Sequence, residues 1–434
     1  MPVLRSQESP VNLAVARPRP PFRPTTETAP SHSPRRSVAL LVFVLGVLSA
    51  SSALATDLYL PAFPDIAADL NATESQVQLT LTAVMVGLAL GQLVIGPLSD
   101  QWGRRRPLLV GTAMFAATSL LCMTVTSPEV FSALRFVQGI SAAAGMVIAR
   151  AVVRDTFSGD SAARFFSRLV LLVGLAPMLG PVLGGQLLLV GPWQLIFAVL
   201  GATGLAGTAL VYLGLPESLP VENRTRQDPV LMLRTFTRLV RDPRFIAPAL
   251  TMALSFAMSF TYISAFSFVS QEELGATAQQ FSLVFGINTL GMILGNQLNV
   301  ALIRHMHTSR RLYAGLIGAT LAVAALGVLG LSGTAGLVTV TAVLFVMMVC
   351  TGLISPNATT LAVASQPSSL GGTSSALLGT MQFAIGGILA SAAGLTGTGE
   401  ATLVSMTLVM LATAVAATAV FAVATARGHT QSAI

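Results

Sequence analysis

Lysine is absent from this chain of 434 residues, which also has only two cysteines and four histidines. A P-loop holds nucleotide phosphates with a lysine, so the sequence predicts no ATPase site of its own. Cys122 and Cys350 both lie in long apolar segments, which leaves no basis for a disulfide framework or a metal cluster. His305 and His307 share one polar loop and are interpreted as solvated residues. We therefore expect neither a metal nor a cofactor.

Charged residues are also scarce, at 9% of the chain, whereas 53% of the residues are hydrophobic. That composition excludes an ordinary soluble domain and predicts an all-α integral membrane protein. Segments of about 20 mainly apolar residues, long enough to cross the hydrocarbon core, recur twelve times after residue 37. The predicted transmembrane helices are residues 38–60, 77–97, 107–127, 130–151, 167–190, 193–213, 246–269, 281–302, 312–332, 336–355, 374–395 and 401–425.

The few charges are unevenly placed. All 24 basic residues are arginines, and every one except Arg135 lies in a tail or in loops and span ends of one parity. The opposite loops contain no arginine and carry Asp65, Asp69, Glu74, Glu129, Glu272, Glu273 and Glu400. By the positive-inside rule, both termini are predicted to be cytoplasmic in the cell membrane. The net charge of +7 is thus explained by the lipid bilayer and needs no nucleic-acid partner.

Polar segments divide the chain into five parts. Residues 1–36, rich in proline, serine, threonine and arginine, are predicted to form a disordered cytoplasmic tail. Residues 37–213 hold the first six predicted helices, and residues 246–425 hold the other six. Residues 214–245 are a cytoplasmic linker between them, and residues 426–434 are a short cytoplasmic tail.

The two halves resemble each other at an offset of about 200 residues. The turn Gly96–Arg106 after the second span has its counterpart in Gly295–Arg311 after the eighth, and Gly180–Gly185 has its counterpart in Gly379–Gly387. Such a repeat is typical of transporters in which two pseudo-symmetric six-helix bundles rock about a central site. An apolar scaffold without a cavity is the alternative, but it explains neither the repeat nor the charges inside the spans.

Three motifs in the first half resemble those of a known family. Gly96–Arg105 (GPLSDQWGRR) looks like motif A of the major facilitator superfamily, Arg135–Gly139 (RFVQG) like motif B and Gly180–Gly185 (GPVLGG) like the antiporter motif C. The resemblance implies the major facilitator fold of twelve transmembrane helices. It also implies that the protein functions as a monomer.

Three further segments narrow the resemblance. Thr56–Pro64 (TDLYLPAFP), Ala149–Asp155 (ARAVVRD) and Ser355–Ala358 (SPNA) are similar to segments of the Bcr/CflA drug resistance subfamily. The six motifs occur in the order and spacing of that family, and the resemblance covers residues 37–425. The resemblance implies export of drug-like molecules in exchange for protons.

Asp57 is the only acidic residue placed inside a predicted span. A charge at the bilayer centre costs roughly 2.5–3.5 kcal/mol on insertion scales, so an acid there is expected to be functional. We predict that Asp57 is a proton switch, and the alternative is a fixed structural pair with Arg135. The resemblance implies that Arg135 itself takes part in proton coupling.

Predictions for the remaining site residues follow from the motifs and from polar or aromatic residues in the spans. The substrate cavity is predicted to include Asp57, Tyr59, Gln138, Phe256, Phe260, Tyr262, Asn288, Gln382 and Phe383, although core packing is the alternative for each. A cytoplasmic latch is predicted from Gly96, Asp100, Gly103, Arg104, Arg105, Arg150 and Arg154, and it is expected to break on inward opening. In motif C, Gly180, Gly184 and Gly185 allow close helix approach and Pro181 bends the span.

The leading hypothesis is a proton-coupled exporter of drug-like small molecules. Export or uptake of a small metabolite, such as an amino acid or sugar, would use the same fold and is the alternative. The predicted spans contain no paired carboxylates, histidine cluster or nucleophile with a base, so an enzyme is not expected. A sensor or signalling scaffold would be favoured if the reconstituted protein moved no solute under any proton gradient.

Overall fold

The computed structural model describes residues 35–157, 179–224, 229–367, 370–390 and 401–428. These residues are predominantly helical and contain no β-strand. In the first half the helices are α1 (Arg35–Asp57), α2 (Phe63–Asp69), α3 (Glu74–Trp102), α4 (Arg105–Cys122), α5 (Pro128–Thr156), a helical segment over residues 179–187, and α6 (Gln194–Gly214). A single 3-10 turn, Leu60–Ala62, joins α1 to α2.

The second half repeats this arrangement after a linker that is itself partly helical. Its helices are α7 (Pro229–Arg241), α8 (Pro243–Phe268), α9 (Ala278–Leu302), α10 (Thr308–Ser332), α11 (Leu337–Ala364), α12 (Gly371–Ala390) and α13 (Leu403–Ala426). The linker was predicted only as a polar stretch, whereas the structure places the 13-residue helix α7 in it.

Ten helical stretches of the described residues are long and apolar enough to cross a membrane. The third predicted span corresponds to α4, which is not among the ten because its 18 residues begin with two arginines. The fifth predicted span, 167–190, lies outside the described residues up to residue 178. Residues 1–34 of the predicted tail also lie outside them, as do residues 391–400.

Helix ends depart from the predicted ones in both directions. The helix α5 continues to Thr156, beyond the predicted end at 151, and α11 continues to Ala364, beyond 355. Apolar length marks the hydrocarbon core, and a helix continues past it for as long as its residues favour the helix. By contrast, α1 stops at Asp57, short of the predicted residue 60, and Pro61 lies in the 3-10 turn that follows.

Matching contacts in the two halves support the internal repeat. The second long helix of each half begins with the same capping box, Thr73 with Gln76 at α3 and Thr277 with Gln280 at α9. Each of these helices then packs against the fourth long helix of its half, α3 against α5 and α9 against α11. The remaining helices pack around these pairs, with α4 and α6 together on one side of the first half.

The two halves touch mainly near one end. We call the end where α3 begins the acidic end, because Glu74, Glu129 and Glu273 lie there, and the end where α3 finishes the arginine end. In the described part, Ser267 Oγ donates to Leu60 O at 2.5 Å and Gln271 Nε2 to Pro61 O at 3.2 Å, both across the two halves. The other hydrogen bonds between the two halves among the described residues also lie nearer the acidic end than the arginine end. The acidic end is therefore closed.

Candidate functional site

Asp57 is the last residue of α1, just before the chain turns through the Leu60–Ala62 segment. Its side chain is 7% exposed, and it is the only buried carboxylate among the described residues. The break in the helix leaves Asp57 inside the protein at the point where the first half meets its motif C segment. A carboxyl group held there can exist in two protonation states with different hydration costs.

The motif C segment, residues 179–187, packs directly on the end of α1. A Cβ atom on Gly180 would lie 2.9 Å from Asp57 Cβ, and one on Gly184 would overlap the carbonyl oxygen of Leu58. On its other side the segment meets α9 of the second half, where Ser282 Oγ donates to Pro181 O at 2.8 Å. Small residues at these positions thus let the segment lie between Asp57 and the second half.

Arg135, on α5, is fully buried beside the end of α1. Its Nη2 donates to Ala55 O at 2.6 Å, and its Nη1 donates to Gln138 Oε1. Its guanidinium carbon lies 4.1 Å from the centre of the Tyr59 ring and 5.5 Å from that of Phe197. A carbonyl, an amide oxygen and two aromatic faces therefore solvate this charge.

Arg135 contacts the residues two positions before and two positions after Asp57, but not as a salt bridge. The ion pairs found among the described residues do not include Asp57 or Arg135. The structure therefore does not support the alternative of a fixed Asp57–Arg135 ion pair. Arg135 can affect Asp57 through the position of the α1 end and through its charge.

Tyr59 and Gln138 lie inside the first bundle. The Tyr59 hydroxyl is 3.1 Å from Thr80 Oγ1, and Gln138 Nε2 donates to Ser119 Oγ at 2.6 Å. Both side chains are fully buried, and these partners all belong to the first half. The structure thus brings Tyr59 and Gln138 together around Arg135, and their role in a substrate cavity stays a prediction.

The residues predicted in the second half divide into two groups. Phe256, Phe260 and Phe383 form an aromatic cluster, with ring centres 5.5 Å apart for both Phe256–Phe260 and Phe256–Phe383. Tyr262 and Asn288 are fully buried and joined by a 2.9 Å hydrogen bond from Asn288 Nδ2 to the Tyr262 hydroxyl. Gln382 is half-buried on α12, next to Phe383.

The aromatic cluster lies beside the seam between α3 and α12. The Phe256 ring occupies the space that a Cβ on Gly386 would need, and the neighbouring Gly387 faces Thr82 and Met85 of α3. Thr82 Oγ1 donates to Gly387 O at 3.0 Å, which joins the two halves at this point. Cluster and seam together form a continuous surface of rings and small residues between the halves.

Gln78 on α3 was not predicted as a site residue. It is fully buried, and neither its amide nitrogen nor its amide oxygen has a hydrogen-bond partner. Gln78 precedes Thr82 and Met85 by four and seven residues, which places the three on one face of α3. Two polar residues four positions apart in a mainly apolar helix, Gln78 and Thr82, were the sequence signal that could have identified this site. An unpaired buried amide is costly, so a water molecule or a solute is expected to satisfy it.

The predicted latch is centred on Arg104 at the arginine end. Its Nη1 lies 2.5 Å from Asp100 Oδ1, its Nε lies 2.8 Å from Asp155 Oδ2, and Nη1 also donates to Ser99 Oγ at 2.8 Å. Among the arginines predicted for the latch, Arg104 forms the ion pair with Asp100, whereas Arg150 and Arg154 are exposed and form no ion pair in the described part. Asp155 of the same cluster was not predicted as a latch residue.

The chain after α6 completes this cluster. The Glu217 carboxylate accepts hydrogen bonds from Arg104 N at 2.7 Å and Arg105 N at 3.2 Å, and Arg105 Nη2 donates to Tyr212 O at 2.6 Å. Gly103, with φ +89°, makes the turn that brings these groups together. The cluster ties four parts of the first half together, and it is intact while the acidic end is closed. The expected rupture of this cluster on inward opening stays a prediction.

Glu217 provides a pH test of this turn. Burial alone would raise the pKa of its carboxyl, but three backbone N–H groups and the nearby Arg224 guanidinium more than offset burial and hold the pKa below its ordinary 4.5. Because the native pKa is depressed, the stabilisation is present above pH 4.5 and is lost as pH falls through the native pKa. We expect Glu217→Gln to lower the thermal midpoint at pH 7, with the difference from wild type vanishing under acid.

The control for this pH test is Glu222→Gln, which removes an exposed carboxylate in the same linker. It should leave the thermal midpoint unchanged at every pH. A Glu217→Gln difference that persists undiminished to pH 3 would contradict the electrostatic account.

The second half has a counterpart of the Arg104 cluster in which the partners of the arginine are uncharged. Arg311 Nη1 donates to Asn299 Oδ1 at 2.7 Å, and Asn357 Nδ2 donates to the same oxygen at 2.7 Å. The sequence placed Arg311 at the end of the polar turn before a span starting at 312, whereas the structure buries it in the first turn of α10. Two asparagines stand here where the first half has two aspartates.

Comparisons with known proteins agree with this architecture. The sequence model of the Major Facilitator Superfamily matches residues 45–391 of this chain. The chain is 39% identical over 382 residues to an uncharacterised MFS-type transporter, YdgK, of Bacillus subtilis, covering 87% of this chain and 94% of that one. It is 32% identical over 357 residues to a bicyclomycin resistance protein homologue of Haemophilus influenzae, covering 82% and 89%.

A solved structure of the nucleoside transporter NupG, in mutant form, matches with a TM-score of 0.72 and 13% identity, covering 88% of this chain and 99% of that one. The D-xylose–proton symporter structure matches with a TM-score of 0.68 and 15% identity, covering 88% and 97%. At these identities the two structures show the fold alone, which is the predicted bundle of two six-helix halves. The chain is a multi-pass membrane transporter and not an enzyme, and it belongs to the major facilitator superfamily.

Proposed function

We propose that the protein exports drug-like small molecules across the cytoplasmic membrane in exchange for protons. The observation that carries the proposal is the buried Asp57 carboxyl, which lies outside any ion pair in the described part and against the motif C segment. The relatives support the solute class. They include the bicyclomycin resistance homologue and a multidrug resistance protein, MdtL, of Citrobacter koseri, which is 30% identical over 235 residues, 53% of this chain and 58% of that one.

In the proposed cycle one proton binds a carboxylate oxygen of Asp57 when the acidic end is open to the outside. The neutral acid is then carried through the closed state, and solute entering from the cytoplasm favours its ionised form. The proton leaves to the cytoplasm as the solute takes its place. Arg135 contributes by holding the α1 end through Ala55 and by favouring the carboxylate electrostatically.

Energy for this exchange comes from the proton gradient, and no bound cofactor is proposed. One elementary charge crossing 100 mV releases about 2.3 kcal/mol, enough for a concentration ratio of roughly 50. We infer from its charge that the arginine end faces the cytoplasm, with both termini on that side. The solute surface would comprise Gln78, Gln382 and the Phe256, Phe260 and Phe383 cluster, in a monomer.

Alternating access requires the interhalf contacts at the acidic end to break in each cycle. One of these is a charge-assisted hydrogen bond, because the Glu74 carboxylate oxygen Oε2 accepts from Ala401 N at 2.5 Å. We expect Glu74→Gln to weaken it by about 1 kcal/mol, since charge-assisted bonds are stronger than neutral ones. The population open at the acidic end should rise about fivefold. Spin labels on cysteines introduced at positions 71 and 334, in a background with both native cysteines replaced by serine, would report the distance between the two halves at the acidic end.

The matched control is Glu273→Gln. Glu273 Oε2 accepts from Leu403 N at 2.6 Å, also at the start of α13, but both residues belong to the second half. The distance distribution between the labels should be unchanged in this variant. Equal shifts in both variants would mean that the charge at the α13 start matters, and not the link between halves.

The proposed function is tested by solute-induced proton movement in inverted membrane vesicles. After the interior is acidified, antibiotics and cationic dyes are added to vesicles that contain the protein and to vesicles without it. Proton release that depends on the protein and on one class of drug supports the proposal. Responses confined to amino acids or sugars would replace the solute class, and no response to either panel under any gradient would favour a non-transporting role.

A further inference from the structure

The linker helix α7 is fixed to the second bundle along one side only. Leu239 is fully buried and Phe236 packs on the hydrophobic core, which brings α7 against α8 and α12. Its end is held by Asp242, whose Oδ1 accepts from Arg244 N at 3.0 Å and whose Oδ2 accepts from Gln366 Nε2 at 2.7 Å. The helix is therefore a firmly attached element at the arginine end.

The opposite side of α7 carries a row of arginines. Arg234, Arg238 and Arg241 follow each other at spacings of four and three residues, so they share one face of the helix. All three are exposed, and none forms an ion pair in the described part of the chain. With Leu233, Thr237 and Asp242 they line a cavity of about 660 Å³.

This arrangement lacks a counter-charge within the described residues. Like charges four residues apart destabilise a helix, and Asp242, the only carboxylate in the lining, already accepts bonds from Gln366 and Arg244. An anion from outside the chain would relieve the repulsion. Guanidinium groups bind phosphate oxygens in pairs, so a phosphate is the anion that this row fits best.

Apolar residues beside the row distinguish a lipid from a free ion. Leu233 and Val240 are 65% and 45% exposed, and their spacing of seven residues places both on one strip next to the arginines. A basic row flanked by exposed aliphatic side chains is typical of helices that lie at the membrane interface. A free phosphate would use the arginines but leave the aliphatic strip in water.

We propose that α7 binds anionic phospholipids, with headgroup phosphates on Arg234, Arg238 and Arg241 and acyl chains on the Leu233–Val240 strip. The inference uses the cytoplasmic orientation of the proposed function but not its solute or its coupling. The cytoplasmic leaflet carries the anionic lipids that such a row attracts. Because Asp242 alone separates α7 from α8, bound lipid would also anchor the start of the second bundle.

The experiment compares lipid retention by purified full-length protein in detergent, measured by native mass spectrometry during titration with phosphatidylglycerol. The test variant carries Arg234→Gln, Arg238→Gln and Arg241→Gln. The control carries Arg304→Gln, Arg310→Gln and Arg427→Gln, which removes the same charge from exposed positions at the same end. Each basic residue near an anionic surface contributes enough that the test variant should bind about 100-fold more weakly, while the control stays within a few-fold of wild type.

Two further arms separate the possible ligands. Phosphatidylcholine should not compete with phosphatidylglycerol for the protein, and inorganic phosphate at millimolar concentration should not displace it. Equal loss in both arginine variants would overturn the site in favour of net charge, and displacement by inorganic phosphate would overturn the lipid assignment. None of these outcomes depends on transport, so a failure of drug export leaves them readable.

Discussion

Asp57→Asn is expected to abolish solute-induced proton release in inverted vesicles and to return the drug resistance of expressing cells to background. Asparagine keeps the shape of aspartate and removes the proton-binding oxygen, so the variant should remain folded. Because it mimics the neutral acid, it should bind solute more weakly than wild type and without releasing a proton. Asp57 is the only buried carboxylate of the described residues, and no neighbouring acid there can replace it. The expected outcome is therefore binding without coupling.

The control is Asp65→Asn, eight residues further along on the exposed side of α2. It removes the same charge from the same end of the molecule, and it should leave proton release within twofold of wild type. Undiminished release in Asp57→Asn would show that coupling resides elsewhere and would remove the main support for the proposed exchange. Loss in both variants would indicate a general effect of charge at the acidic end.

Gly184→Val is expected to stop transport for a steric reason. Any Cβ at this position would overlap the carbonyl oxygen of Leu58, so valine must push the motif C segment away from the end of α1. Overpacking of this kind costs typically 1–3 kcal/mol, and here it acts where the acidic end closes. We expect folded protein, judged by its elution profile in detergent, with transport at background.

Gly286→Ala is the matched control for this second prediction. It lies on the α9 surface that faces the same segment, but its Cβ would be 3.6 Å from Val182 Cγ2, which is ordinary contact. Transport by this variant should stay within twofold of wild type. Full activity in Gly184→Val would mean that the close approach of Gly184 to Leu58 is not needed for the cycle.

The fold was predictable because a helix that crosses a membrane must consist mainly of apolar residues over its whole length. Apolar length identified the helices, the turn around Gly103 carried the resemblance to motif A, and the repeat indicated two bundles. The end of α1 at Asp57 was missed, although Pro61 and Pro64 stand shortly after it. In a continuous apolar run, hydropathy does not register a break in the helix.

Side-chain neighbours were harder to predict than helices. In a soluble helix the polar face indicates its orientation, whereas here residues facing lipid and residues facing the core are equally apolar. That is why the sequence offered Arg135 as a structural partner of Asp57, while its closest partners are Ala55 O, Gln138 and the Tyr59 ring. Gln78 and the buried Arg311 were missed for the same reason.

The two halves differ in the chemistry of equivalent positions, and this difference bears on how such a protein can evolve. The first half holds the buried acid and the aspartates around Arg104, whereas the second half places asparagines around Arg311 and contributes the phenylalanine cluster. Under the proposed function, selection for a new drug could act on Phe256 or Phe383 without touching the energy-converting residues. Resistance spectra would then diversify by substitutions selected in one duplicated half, while the other half remains constrained.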